Sequence, residues 1–266
     1  MSKKNNSQKN SARKNANISR KKTELNLLVD ELLKYVTSFS LHMKLSDEWD
    51  AFLKISDYVS KIVNVEKDSG KGIPPRKNTN NFDNWLESNG AVYKGLQLSE
   101  FKDFGYGLTA TSDIEAGEMI LKIPRKLMMT VEDAENSSLS KLISENTILQ
   151  HMPNVTLALF LLYERFKPQK SFWEPYFNVL PSSYPTVLYF TRSNMEALKG
   201  SPTFEFALKQ YRYIARQYSY FKKIFEQSND ETSKILKDIF TYEKYRMKKR
   251  SALTRRYPKQ ELCCKR

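Results

Sequence analysis

The chain has 266 residues, 40% of them apolar and 12% aromatic, enough for one sizeable core or two modest ones. Its net charge of +14 suggests a nucleic-acid binder, but that charge sits at the ends: the first 22 residues hold eight basic residues and no acid, and residues 244–266 hold ten against one. The ends therefore carry +17 and the stretch between them about −3, which excludes a folded part that is itself basic.

No apolar run reaches the roughly 18 residues that a bilayer span requires, and the N-terminus lacks a signal peptide's apolar stretch. A soluble chain of the cytoplasm is expected, with the nucleus left open by the basic runs. The two cysteines, Cys263 and Cys264, are adjacent, and the two histidines, His42 and His151, lie in separate segments. A structural zinc site needs about four convergent ligands, so no metal is expected.

In chain order, residues 1–22 are basic and rich in Asn and Ser, and read as a disordered tail. Lys/Arg runs also serve nuclear import or nucleic-acid contact, although nucleic acid is not an expected partner of the folded part. Residues 23–85 read as a helical extension with a linker. Leu25, Leu28, Val29, Leu32 and Val36 share one helical face. A second helix, with Ser46 as N-cap, carries Trp49, Phe52, Leu53, Val59 and Ile62. Glu66 to Asn81 has no period and reads as linker, followed by a short helix with Phe82, Trp85 and Leu86 that ends at Asn89-Gly90.

Residues 86–129 read as about four short strands. Gly105-Tyr106-Gly107 looks like the start of a phosphate loop, but no helix follows it, so the glycines shape a bend at which backbone passes close to something. Thr130 suits an N-cap, with Glu132, Asp133 and Glu135 in the first turn. Residues 130–243 then read as mostly helical. The stretch "NVTLALFLLYERF" is apolar enough to be buried, and "SFWEPYFNVLPSSYPTVLYF" reads as an aromatic loop region. In "FEFALKQYRYIARQYSYFKKIFEQ" two stripes recur at helical spacing, one with Phe206 and Tyr213, the other with Tyr211, Ile214, Tyr218 and Phe221. These aromatics are expected in a core, which leaves Arg212, Arg216 or Lys222 for contact with a ligand or partner. Residues 244–266 read as a divergent basic tail.

The stretch "GYGLTATSDIEAGEMILKIPRKLMMT" resembles the N-terminal strands of a SET domain. The helical run after it resembles the Rubisco large-subunit methyltransferase class. Within that class the chain is similar to the actin-histidine N-methyltransferases, through "NFDNWLESNGA", "ILQHMPNVTLALFLLYER", "QYRYIARQYSYF" and "FTYEKYR". The resemblance implies an α+β fold: the N-terminal half of a SET β-clip domain with a long helical insertion, preceded by a helical extension and flanked by basic disordered ends. It also implies S-adenosylmethionine as methyl donor, actin as protein substrate, and a monomer.

Carried over by resemblance, Phe104, Gly105 and Tyr106 bring backbone to the cofactor. Arg76, one residue out of register, and Arg255 correspond to cofactor arginines, and Arg216 to a contact with the bound peptide. The family's Asn-His pair and its channel tyrosine have no counterpart here, so no catalytic residue is assigned. The expectation is a truncated SET half, with strand edges unpaired.

Overall fold

The computed structural model describes residues 2–39, 45–67, 81–102, 105–181 and 184–253, with backbone alone in 2–14, 45–46 and 250–253. The chain divides into two compact units. The first takes its described residues from Met1–Ile73 and Pro185–Arg246, the second from Pro74–Tyr184 and Met247–Arg266.

Helix α1 spans Ser2–Thr37 and α2 spans Leu45–Lys67. The stretch read as a disordered tail is thus helical. It contains no Gly or Pro, and a helix already nucleated further along extends at the cost of fixing one residue per hydrogen bond. The expected faces are the buried ones: Val29, Leu32 and Val36 on α1, and Phe52, Val59 and Ile62 on α2, while Trp49 and Leu53 are half-buried. Glu66, expected in a linker, lies inside α2 and is buried. The side chain of Ser46 and the linker from residue 68 to 80 lie outside the described residues.

In the second unit α3 spans Phe82–Ser88, and Gly90 follows its C-cap at φ +82°, as the Asn-Gly pair suggests. Trp85 of α3 meets the rings of Phe172 and Trp173 at 5.3 and 5.9 Å. Four strands follow: β1 (Val92–Tyr93), β2 (Leu96–Phe101), β3 (Gly105–Ala110) and β4 (Leu121–Lys122). They form two antiparallel ladders, β1 with β4 and β2 with β3.

Thr130 caps α4 (Val131–Glu135) in a capping box with Asp133. Helices α5 (Ser140–Ser144) and α6 (Thr147–His151) lead to α7 (Pro153–Phe166), which buries Val155, Leu159, Phe160 and Leu162 and starts on a proline whose missing N–H costs nothing there. The aromatic loop region contains α8 (Glu174–Val179) and a 3-10 turn at Val187–Tyr189.

Back in the first unit come α9 (Arg192–Ala197), α10 (Pro202–Gln227) and α11 (Glu231–Ile239). Helix α12 (Tyr242–Leu253) begins in this unit and continues into the second at Met247. Helix α1 packs on both α2 and α10. Of the two α10 stripes, Tyr211, Ile214, Tyr218 and Phe221 are core, whereas Phe206 and Tyr213 are exposed. Spacing alone shows that two faces are aromatic, and packing decides which one is covered.

At the centre of the first unit, the Glu66 carboxylate accepts hydrogen bonds from the Tyr218 hydroxyl at 2.7 Å and the Tyr242 backbone N–H at 2.8 Å. Tyr218 stacks on Phe240 with ring centroids 5.5 Å apart, and Lys222 Nζ donates to the Phe240 carbonyl at 3.0 Å. Tyr245 donates to Gln217 at 3.0 Å. Burial, with the Glu66 charge next, pushes the Tyr218 hydroxyl pKa well above its ordinary value.

Residues 244–253, expected in a solvated tail, are helical, and Tyr245, Met247, Lys248 and Lys249 are buried. Lys248 is 0% exposed. Its Nζ lies 5.2 Å from the Phe177 ring centroid and has no hydrogen-bond partner among the described residues. Burial, reinforced by the Arg165 guanidinium, holds its pKa well below the lysine range.

Two stability predictions follow from these buried polar groups. Tyr218→Phe withdraws one donor from a buried carboxylate and is expected to cost about 1–3 kcal/mol, and Glu66→Leu, which strands both donors, more than that, read as urea midpoints. Lys248→Met is expected to stabilise the chain by at least ~1 kcal/mol at pH 7. Because the lysine pKa is lower in the folded chain, the unfolded chain holds more protons between that value and about 10.5, so native stability rises with pH across this window. Lys248→Met should flatten that rise in urea titrations at pH 7 and 9.5, and an unchanged slope would place the ammonium in solvent.

Candidate functional site

The Gly-Tyr-Gly bend opens strand β3. In the β2–β3 ladder Phe101 pairs with Gly105, Glu100 with Tyr106 and Ser99 with Gly107. The two glycines are required for different reasons. Gly105 has φ +78°, a left-handed conformation that side chains disfavour, and a Cβ built there meets no atom of the described residues within 4 Å. The described residues thus leave the Cβ side of Gly105 clear. Gly107 has ordinary φ, and a Cβ there would fall 2.9 Å from the Phe101 ring. That glycine accommodates an aromatic neighbour, the Phe101 ring of β2.

Tyr106 is half-buried beside Gly105. Phe104, Arg76 and Arg255 lie outside the described residues. Arg216 sits on α10 in the first unit, exposed, with its guanidinium 5.5 Å from the Tyr213 ring centroid. Arg212 lies 5.1 Å from the Phe39 ring, and Lys222, the third cation singled out on this helix, is buried. The structure thus joins Gly105 and Tyr106 in one hairpin and carries Arg216 on the other unit. His151 is exposed, its Nδ1 2.9 Å from the Thr147 carbonyl oxygen, whereas His42, Cys263 and Cys264 lie outside the described residues.

The two ladders expose unusually large apolar side chains, Leu108 at 55%, Phe101 at 42% and Leu121 at 45% among them. Met119 and Ile120, in the connection from β3 to β4, are exposed too. Strand patterning located these residues, but alternation alone does not say which face is covered.

Residues 105–260, more than half of the chain, match the SET domain family, and the chain belongs to that family. The dog actin-histidine N-methyltransferase (Canis lupus familiaris) is 41% identical over 210 residues, 78% of this chain and 36% of that protein. The human actin-histidine N-methyltransferase is 41% identical over 78% of this chain and 35% of its own length. The chain therefore spans about a third of these relatives. Among solved structures, Rubisco LSMT bound to AdoMet superposes with a TM-score of 0.55 at 22% identity, covering 64% of this chain and 38% of that one. The SET domain of LSMT bound to MeLysine and AdoHcy gives 0.56 at 21%. The SET fold expected from the sequence is thereby shown.

Gly105→Val forces a β-branched residue to positive φ and is expected to cost about 1–3 kcal/mol in chemical denaturation. Gly105→Ala, which meets no neighbour, should cost about 1 kcal/mol. Equal stability of the valine variant and the parent would show that this backbone conformation is wrong.

Proposed function

We propose that the chain takes part in S-adenosylmethionine-dependent methylation of an actin histidine, and that its 266 residues by themselves bind actin without transferring a methyl group. What carries the first clause is 41% identity over 210 residues to proteins named for that reaction. The second rests on the chain's own sequence: it contains no Asn-His dipeptide, the pair that family resemblance places beside the methyl-transfer channel.

S-adenosylmethionine supplies an electrophilic methyl group on a sulfonium. In the transfer a neutral imidazole nitrogen forms the new C–N bond as the S–C bond breaks, and the imidazolium then releases its proton to solvent. No covalent enzyme intermediate is needed, so the protein's task is to orient the nucleophile about 3 Å from the methyl carbon and to exclude water. Gly105, clear on its Cβ side among the described residues, suits close approach of an adenosyl or amino-acid group, with Tyr106 beside it. By resemblance Phe104, Arg76 and Arg255 join them. Arg216, exposed and backed by Tyr213, is available to the peptide.

Incubating the purified chain with unmethylated actin and methyl-labelled S-adenosylmethionine tests both clauses. Actin should co-sediment with the chain and acquire no label above a no-enzyme control. Arg216→Glu should weaken actin binding about tenfold, equivalent to ~1.4 kcal/mol. Label on an actin histidine would overturn the second clause, and absence of actin binding would overturn both.

A further inference from the structure

Strands β1 to β4 contain no buried residue. In the β2–β3 ladder the register sets Leu96 beside Ala110, Leu98 beside Leu108 and Glu100 beside Tyr106. Cross-strand partners share a face and successive residues alternate, so these six side chains form one face of the hairpin, apolar but for Glu100. That face is uncovered: Leu96 and Leu98 are half-buried, Ala110 is exposed, and Leu108 is 55% exposed. An isolated hairpin is marginal in water, and three or more strands with an apolar face are needed before a sheet holds by itself.

The Thr111 N–H donates to the Gly95 carbonyl at 2.8 Å, one step further in the same register. Bonded and non-bonded pairs alternate along an antiparallel ladder, so Gly107 and Thr109 turn their backbone groups toward β2, and Leu108 and Ala110 turn theirs to the outer edge. Among the described residues no third strand joins β3 there. Sheet edges are ordinarily guarded by charge or proline, and Gly105–Ala110 contains neither. Set antiparallel against the same strand of a second copy about Leu108, β3 opposes leucine to leucine and Tyr106 to Ala110. Both apolar faces then lie on one side of a four-stranded sheet. Between Val92 and Lys122 stand three lysines and five acids, so the strong basic charge of the chain is not concentrated where two copies would meet. Eight large apolar side chains between Val92 and Met128 are 40–55% exposed among the described residues. At roughly 200 Å² for each when fully exposed they present on the order of 700 Å², close to the ~800 Å² per partner that a standard interface buries.

We propose that the outer edge of β3 pairs with the β3 edge of a second copy of this chain, making a two-fold dimer through a continuous four-stranded sheet, in place of the monomer that the resemblance implies. The uncovered apolar face and the edge without charge or proline lie on the same strand, and self-pairing answers both. The proposal does not rest on the methylation reading.

The test is sedimentation velocity of the full chain over a dilution series, in reducing buffer so that cysteines play no part. The chain should sediment at micromolar concentration with twice its 31.2 kDa mass. Leu108→Lys, with secondary structure checked by circular dichroism, sets like charges directly opposite one another and should weaken the dimer about tenfold or more. Leu108→Glu should do the same, and an equimolar mixture of the two variants should dimerise again, which happens only where position 108 of one copy meets position 108 of the other. Ala110→Pro removes an outward N–H while sparing the bonds to β2 and should also weaken the dimer. Phe206→Lys, at an exposed aromatic of the other unit, should leave it unchanged. A chain that stays monomeric throughout the series would overturn the proposal and leave this edge to a different partner. So would a dimer insensitive to Leu108→Lys, a dimer lost on Phe206→Lys, or a mixture of the charge variants that remains monomeric.

Discussion

A buried carboxylate has to collect hydrogen bonds from whatever surrounds it, and in the first unit that requirement falls on Glu66. Its two oxygens take donors from residues 152 and 176 positions away, the Tyr218 hydroxyl and the Tyr242 N–H. The second donor belongs to the first turn of α12, where backbone N–H groups have no partner within the helix and the dipole favours a negative charge. One side chain thus pins the end of α2, the middle of α10 and the start of α12. The ring stack of Tyr218 on Phe240 and the bond from Lys222 to the Phe240 carbonyl hold the same corner.

The second unit is organised around α7, apolar on nearly every side and begun by a proline. Against this helical mass the strands are slight: two two-stranded ladders with large apolar side chains facing solvent. Two-stranded ladders gain little stability alone. The hairpin bearing Gly105 therefore combines a left-handed glycine, clear of described neighbours on its Cβ side, with exposed apolar surface.

The charge pattern also gains meaning from the fold. Near the C-terminal end of the described chain, Lys248 and Lys249 are buried on α12, and Lys248 faces Phe177 without a hydrogen-bond acceptor among the described residues. At the other end, Arg20 stands exposed on a stretch of helix with no packed face from Asn15 onward, while Lys22 pairs with Glu226 of α10 at 3.2 Å. The Lys248 charge opposes burial and the Arg20 charge is presented to solvent, although both belong to basic runs.

The sequence by itself determined the helical faces of α1, α2 and α7, the Thr130 capping box, the strand-rich segment and the SET family. Each of these depends on neighbours within a few residues, or on wording shared with relatives. The roles of Arg216 and Tyr106 rest on resemblance alone, whereas the need for glycine at position 105 was legible from its place in the bend. Only the tertiary structure decided that Glu66 belongs to a core, that Tyr213 and Phe206 are exposed while Tyr218 is buried, and that Gly107 answers to Phe101. It also carried helix through residues 2–22 and 244–253, where composition had indicated tails. The reason is physical: local pattern states which faces are apolar, but which face is covered, and which polar group must then find a partner, is set by segments more than a hundred residues away.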